Sequence, residues 1–213
     1  MQLSAILYII IFDLQSLEGK YFMELLKQLI LERGVVKSGG VLRVDSFLNH
    51  QIDINLYREI GKEFYRLFSA DNVTKIVTIE ASGIGIACIT AQFFNVPVVF
   101  AKKNKTSNVT DNNYVGHVYS FTHQCNNDII INKSYLNESD RILIIDDFLA
   151  VGNAIEGLID IVTQAKATLV GAGTVIEKGF QGGGDKLRRA GIKVESLAIV
   201  DAMDEDGTIS FRN

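Results

Sequence analysis

Five short apolar runs punctuate this sequence: KIVTIE at 75–80, VPVVFA at 96–101, RILIIDD at 141–147, TLVGAGTVI at 168–176 and VESLAIV at 194–200. Each has the length of a strand, is rich in Val and Ile, and lacks the alternation expected of a half-wet sheet. That is the pattern of strands covered on both faces, as in parallel sheets. Between them, Ile84 to Phe94 and Asn153 to Lys166 have helical length and periodicity. The resulting β-α-β order predicts an α/β protein, an open, mostly parallel twisted sheet flanked by helices. Ligands in such sheets sit beyond the carboxyl ends of the strands, so a site is expected among the residues just after IVTI, VVFA, LIID and TVIE.

Upstream, MELLKQLILERG predicts a helix from Met23 in which Leu25, Leu26, Leu29 and Ile30 share one face and Gly34 is the stop. The segment VLRVDSFLNHQID at 41–53 reads as strand or loop, and Ile54 to Phe68 as a second helix. The apolar run AILYIIIF at 5–12 is too short to span a bilayer and lacks the flanks of a secretory signal. The expected organisation is therefore a domain at 23–213, with 1–22 an extension outside it. Lys102 to Gly116 is polar and without apolar periodicity, then HVYSF comes at 117–121, predicting a flap or hairpin.

A net charge of −4 and a pI near 5.4 argue against a nucleic-acid partner. Cys88 and Cys125 form no CxxC pair, and His50, His117 and His123 lie apart, so plain thiols in a reducing compartment and no structural zinc are expected.

The most informative segment is ILIIDDFLAVGNA at 142–154: an aliphatic strand, two adjacent acids, a small-residue turn, then a helix start. A glycine lets the backbone approach a phosphate, and amides at a helix N-terminus point at the anion. The two carboxylates repel a phosphate, so they should face sugar hydroxyls or a Mg²⁺ ion. Taken alone, an Asp-Asp pair reads as a helix cap; the strand before it and Gly152 after it change that reading.

In these residues the chain resembles the type I phosphoribosyltransferases, whose motif for phosphoribosyl pyrophosphate (PRPP) is a strand, two acids and a small-residue loop before a helix. DSFLNHQID at 45–53, KIVTIEASGI at 75–84, VPVVFAKK at 96–103, LIIDDFLAVGNA at 143–154 and VIEKGFQ at 175–181 look like members that act on xanthine. The resemblance runs from about Met23 to near the C-terminus. It implies a small base-binding hood built largely from the N-terminal segment, a cytoplasmic homodimer, Mg²⁺ held mainly through PRPP with no direct protein ligand, and PRPP and xanthine as substrates, with no nucleic acid and no membrane. It places Ala150, Val151, Gly152, Asn153 and Ala154 on the 5-phosphate, and Asp146 and Asp147 on the ribose hydroxyls as catalytic residues. Glu80, Ala81, Ser82 and Gly83 should form the pyrophosphate loop, Lys102, Lys103 and Lys105 the flap, and Leu42, Asn49 and Lys178 should contact the base. The phosphate loop departs from the related enzymes, which more often carry a polar residue in place of Val151 and Gln in place of Asn153.

Lys178 offers three donors and no acceptor, which suits the oxo groups of xanthine but equally those of hypoxanthine or guanine. A PRPP- or purine-sensing regulator on the same fold stays open as a second class, although no helix-turn-helix precedes the strands. Ser82-Gly83-Ile84-Gly85 alone is a common helix-start turn, Gly182 to Gly184 reads as a flexible connector, and Glu177, before Lys178, as a structural partner or a support to the site.

Overall fold

The computed structural model describes residues 2–104, 112–120, 125–204 and 206–212. Lys105 and His123 lie outside these. Helix α1 (Gln2–Arg33) passes through the expected domain boundary without a break. Phe22, Leu26 and Ile30 are buried, whereas Leu25 is 48% exposed, so the inward face is narrower than the run of leucines suggests. The Gly34 amide closes the last turn on Ile30 O at 2.8 Å. Strands β1 (Val35–Lys37) and β2 (Val41–Arg43) then form a small antiparallel hairpin whose turn has Gly39 and Gly40 at positive φ. Asp45–Asn49 forms a π-helical turn that buries Phe47 and Leu48.

Helix α2 (Ile54–Phe68) starts where Asp53 accepts the amides of Asn55 and Leu56 at 3.0 and 3.1 Å, the standard satisfaction of orphan N–H groups. Its buried stripe Leu56, Tyr57, Ile60, Phe64 and Phe68 has helical spacing. Then come β3 (Lys75–Ile79), α3 (Ser82–Phe94), β4 (Val98–Asn104), β5 (Asn113–Ser120), β6 (Cys125–Asn132), β7 (Arg141–Leu149), α4 (Asn153–Gln164), β8 (Thr168–Lys178), α5 (Gly183–Arg189), β9 (Val194–Met203) and β10 (Ile209–Phe211).

Among the described residues one sheet has the order β10-β9-β8-β7-β3-β4-β6-β5. The run β9-β8-β7-β3-β4 is parallel; β10, and the hairpin β5-β6 that adds to β4, are antiparallel. Alternation along β7 divides the core: Leu143 and Ile145 pack with residues of α1, α2 and α3, while Ile142 and Ile144 pack with Leu158, Ile161 and Val162 of α4. All four strand residues are fully buried, each worth about 1.5–3 kcal/mol by transfer. The hairpin leans on α4 backbone to backbone, at Gly116 and Gly157: a Cβ on Gly116 would stand 2.9 Å from the Gly157 carbonyl carbon.

The fold thus has the predicted parallel core. Strand β6 is an addition to the elements expected from sequence, and α1 is longer than the helix expected from Met23.

Candidate active site

The central strand β7 delivers Asp146 and Asp147 at its carboxyl end, 4% and 8% exposed. The Asp147 amide donates to the Asp146 carboxylate at 3.0 Å, and Asn49 Nδ2 reaches Asp147 at 3.4 Å. Burial, and next the negative charge of Asp147, push the Asp146 pKa well above the usual carboxylate range; the hydrogen bond from the Asp147 amide and, less, Lys103 oppose this. Tyr57 is also pushed up, to about 12, by burial and by Asp147. Its hydroxyl donates to Leu48 O at 2.5 Å, which ties α2 to the turn that carries Asn49.

After β7 the chain turns through Ala150, Val151 and Gly152 into α4. Gly152 sits at φ 96°, ψ −2°, a left-handed conformation that an L side chain adopts only with strain. The first-turn amides of α4 come directly after it, an arrangement suited to an anion.

At the carboxyl end of the neighbouring strand β8, Lys178 donates to Gly40 O in the β1-β2 turn at 3.0 Å, and its ammonium stands 5.7 Å from the centre of the Phe148 ring. Burial lowers its pKa. Glu177, immediately before it, is fully buried and paired by both carboxylate oxygens with Arg188, at 3.0 and 2.6 Å.

One cavity of about 640 Å³ joins the phosphate loop and Lys178, and the acid pair Asp146-Asp147 is not part of its lining. The loop 150–154 forms one wall, Lys178, Gln181 and Phe148 another, and Gly39, Gly40 and Val41 overhang it; Val118 of β5 completes it. The structure therefore brings the phosphate-loop residues and Lys178 into one space. Asn49 meets Asp147 beside it. Leu42 is 5% exposed within the core, and its strand neighbour Val41 lines the cavity. Glu80 to Gly83 connect β3 to α3; the Glu80 carboxylate accepts the Lys103 amide at 2.5 Å, and Gly83 is buried against Thr78 and Asp146. Lys102 and Lys103 are exposed on β4.

Sequence reasoning passes over Phe148, Gln181, Gly39, Gly40, Val41 and Val118. A signal exists for three of them: Phe148 comes directly after the acid pair, and Gly39-Gly40 is a turn dipeptide. Gly182 to Gly184 are not a flexible connector. Gly183 and Gly184 open helix α5 and are buried, Gly183 against the phosphate loop and Gly184 against Glu177.

Among the described residues no three His, Cys, Asp or Glu side chains gather as an ion cage. The donor set near the loop is the carboxylate pair Asp146-Asp147. Such hard oxygen donors would suit a Mg²⁺ ion brought in by substrate oxygens, whose charge they would balance.

Residues 44–199 match the Phosphoribosyl transferase domain family. A xanthine phosphoribosyltransferase of Lachnoclostridium phytofermentans is 60% identical over 191 residues, which cover 89% of this chain and 98% of that protein. One of Clostridium novyi is 58% identical over 90% of this chain and 100% of its own length. Among solved structures, an adenine phosphoribosyltransferase of Rhodothermus marinus matches with TM-score 0.70 at 23% identity, covering 85% of this chain and 99% of that one, a likeness of fold.

Proposed function

We propose that this chain, which belongs to the phosphoribosyltransferase family, transfers the phosphoribosyl group of PRPP to xanthine, giving xanthosine 5′-monophosphate and pyrophosphate for purine salvage. The observation that carries the reading is one cavity shared by a strand-turn-helix anion loop and a half-buried lysine. The choice of base rests on the xanthine phosphoribosyltransferases at 60% and 58% identity.

In this reading the amides of 150–154 take the 5-phosphate, and the backbone carries the task because Val151 has no polar side chain to offer. Asp146 and Asp147 bind the ribose hydroxyls, and the negative charge of the pair favours the cationic character that develops at C1 as pyrophosphate leaves. The base nitrogen attacks at C1, the C1–oxygen bond to pyrophosphate breaks, and the proton from the base passes to solvent or to Asp147. Lys178 donates to a base oxo oxygen, and Asn49 supports the acid pair or the base edge. Leu42 acts through the hood, holding the β1-β2 hairpin on the core. The backbone of Glu80 to Gly83 meets pyrophosphate, and Lys102, Lys103 and Lys105 close over it. Mg²⁺, when bound with PRPP, neutralises charge on the departing pyrophosphate. The catalytic unit is 23–213, with Phe22 added to its core.

A homodimer and a cytoplasmic setting belong to the same proposal and rest on the family resemblance. Among the described residues no helix is long and apolar enough to cross a membrane.

The test is a spectrophotometric assay with PRPP and Mg²⁺, offering xanthine, hypoxanthine, guanine and adenine separately. Xanthine should have the highest kcat/KM. Preferred turnover of another base would overturn the substrate, and turnover of none would overturn the enzyme.

A further inference from the structure

One short element touches both the phosphate loop and the residue that precedes Lys178. We propose that helix α5 and the Glu177–Arg188 ion pair form a brace that sets the spacing between the phosphate loop and Lys178, making Gly183, Gly184, Glu177 and Arg188 positioning residues for the transfer. The inference rests on the PRPP and xanthine reading for its substrates, but not for its geometry.

On one side the contact is backbone against backbone. The Gly183 amide donates to Ala150 O at 3.2 Å. A Cβ on Gly183 would stand 2.5 Å from the Val151 carbonyl carbon and 2.7 Å from the Gly152 nitrogen, and would also collide with Ala150 O. No flexible side chain is there to yield, so the first residue of α5 fixes how far the loop can move toward it.

On the other side the contact is with a buried carboxylate. A Cβ on Gly184 would stand 2.6 Å from Glu177 Oε2 and collide with its Oε1 and Cδ. Glu177 is fully buried, and Arg188, one turn after Gly184 on α5, pairs with both of its oxygens, while Ser196 of β9 donates at 2.5 Å. Arg188 is itself held by Val194 O at 3.2 Å and Asp185 at 3.3 Å, and Arg212 grips Asp185 at 2.8 Å.

A helix of seven residues is too short to be stable alone, so these contacts determine where α5 sits. Successive strand residues point to opposite faces. Glu177 and Lys178 therefore leave β8 on opposite faces, and fixing Glu177 fixes the face from which Lys178 reaches the cavity. The brace thus links the group that reads the base to the loop that holds the phosphate, across the distance a ribose must span.

The two glycines contact different parts, Gly183 the phosphate loop and Gly184 Glu177, which separates positioning from general loosening. Gly183→Ala should raise KM for PRPP by about 10- to 100-fold, the scale of a misplacement near 1 Å, with a small change in KM for xanthine. Gly184→Ala should do the reverse. Gly182→Asn is the control: Asn tolerates its φ of +74°, and no atom lies within 4 Å of a Cβ there. It should keep both constants.

The activity-independent readout is ribose 5-phosphate affinity by calorimetry, which Gly183→Ala should weaken and Gly184→Ala should not. If Gly183→Ala fails to fold, Arg188→Lys carries the test, since lysine lacks the planar fork that pairs the two Glu177 oxygens side by side; it should raise KM for xanthine with little loss of kcat. The brace is overturned if the folded variants keep wild-type KM values and ribose 5-phosphate affinity, or if both glycine variants lose PRPP and xanthine in equal proportion. Failure of the transfer reading looks different: the wild type binds ribose 5-phosphate but turns over no xanthine, and the glycine variants still separate in ribose 5-phosphate affinity.

Discussion

Replacing Lys178 with Met keeps most of the length of the side chain and removes its donors. Nζ makes a hydrogen bond to Gly40 O at 3.0 Å and lies 5.7 Å from the centre of the Phe148 ring. Burial already lowers its pKa, so the lost hydrogen bond is offset by relief of desolvation. The net stability change should stay within about 1 kcal/mol, or about 2–4 °C in Tm for a chain of this size. Binding is another matter. A hydrogen bond from a charged donor to a base oxo group is worth about 1.5–3 kcal/mol. With about 1.4 kcal/mol per tenfold, kcat/KM for xanthine should fall about 10- to 150-fold. KM for PRPP should hold to about twofold, since the phosphate loop is a separate contact. Initial rates of absorbance change at saturating PRPP and varied xanthine, with a melting curve on the same preparation, give all three quantities. A kcat/KM within about threefold of wild type would refute the role of Lys178 in reading the base; a collapse of Tm would refute the claim that it is a binding rather than a folding residue.

Asp146→Asn should alter the pH dependence of stability. Because the folded pKa of Asp146 is raised above its unfolded value, the native state holds more protons than the unfolded state between the two, and stability falls as pH rises through that window. The variant should lack this loss, gaining on wild type as pH rises above the ordinary carboxylate range in urea titrations; equal slopes would exclude the raised pKa. Asp146→Asn combined with Asp147→Asn should remove most turnover while leaving the circular dichroism spectrum unchanged, and near wild-type rates would defeat the ribose assignment. Arg188→Met should cost about 2–4 kcal/mol, somewhat below the ~3–5 kcal/mol for a fully buried pair because Arg188 is 30% exposed and Ser196 still donates. Adding Glu177→Met should recover much of that, and a single variant as stable as wild type in urea would show that the pair is not coupled.

How legible each part is in the sequence depends on how local its determinants are. Helix α2 has the predicted bounds because Asp53 caps it and its apolar spacing is regular. The parallel strands are visible because burial on both faces leaves continuous aliphatic runs. Strand β6 is hidden: half of CNNDIIIN is polar, and its strand character comes from antiparallel pairing with β4 and β5. Residues 45–49 fit neither a strand nor an α-helix by pattern, since adjacent Phe47 and Leu48 are both buried in a π-helical turn. In the site, the motif 146–154 announces itself because its chemistry is contiguous in sequence. Val41 and Gln181 do not, because each reaches the cavity only through the meeting of β2 and the end of β8 in space. Gly182 to Gly184 look like slack chain because glycine has one sequence signature for two physical uses, freedom and close approach.

The seat of the hairpin on α4 carries a heritable consequence. Gly116 faces a carbonyl that cannot move aside, whereas a Cβ on Gly157 would meet Val118 Cγ2 at 2.7 Å and the His117 carbonyl at 3.3 Å. A lineage that acquires a side chain at Gly157 can recover through a smaller residue at 118, but one that acquires it at Gly116 has no single compensating change, because the obstacle is main chain. Grafting this hairpin onto another member of the family must therefore carry its helix with it, and the two segments should be inherited and exchanged as one piece.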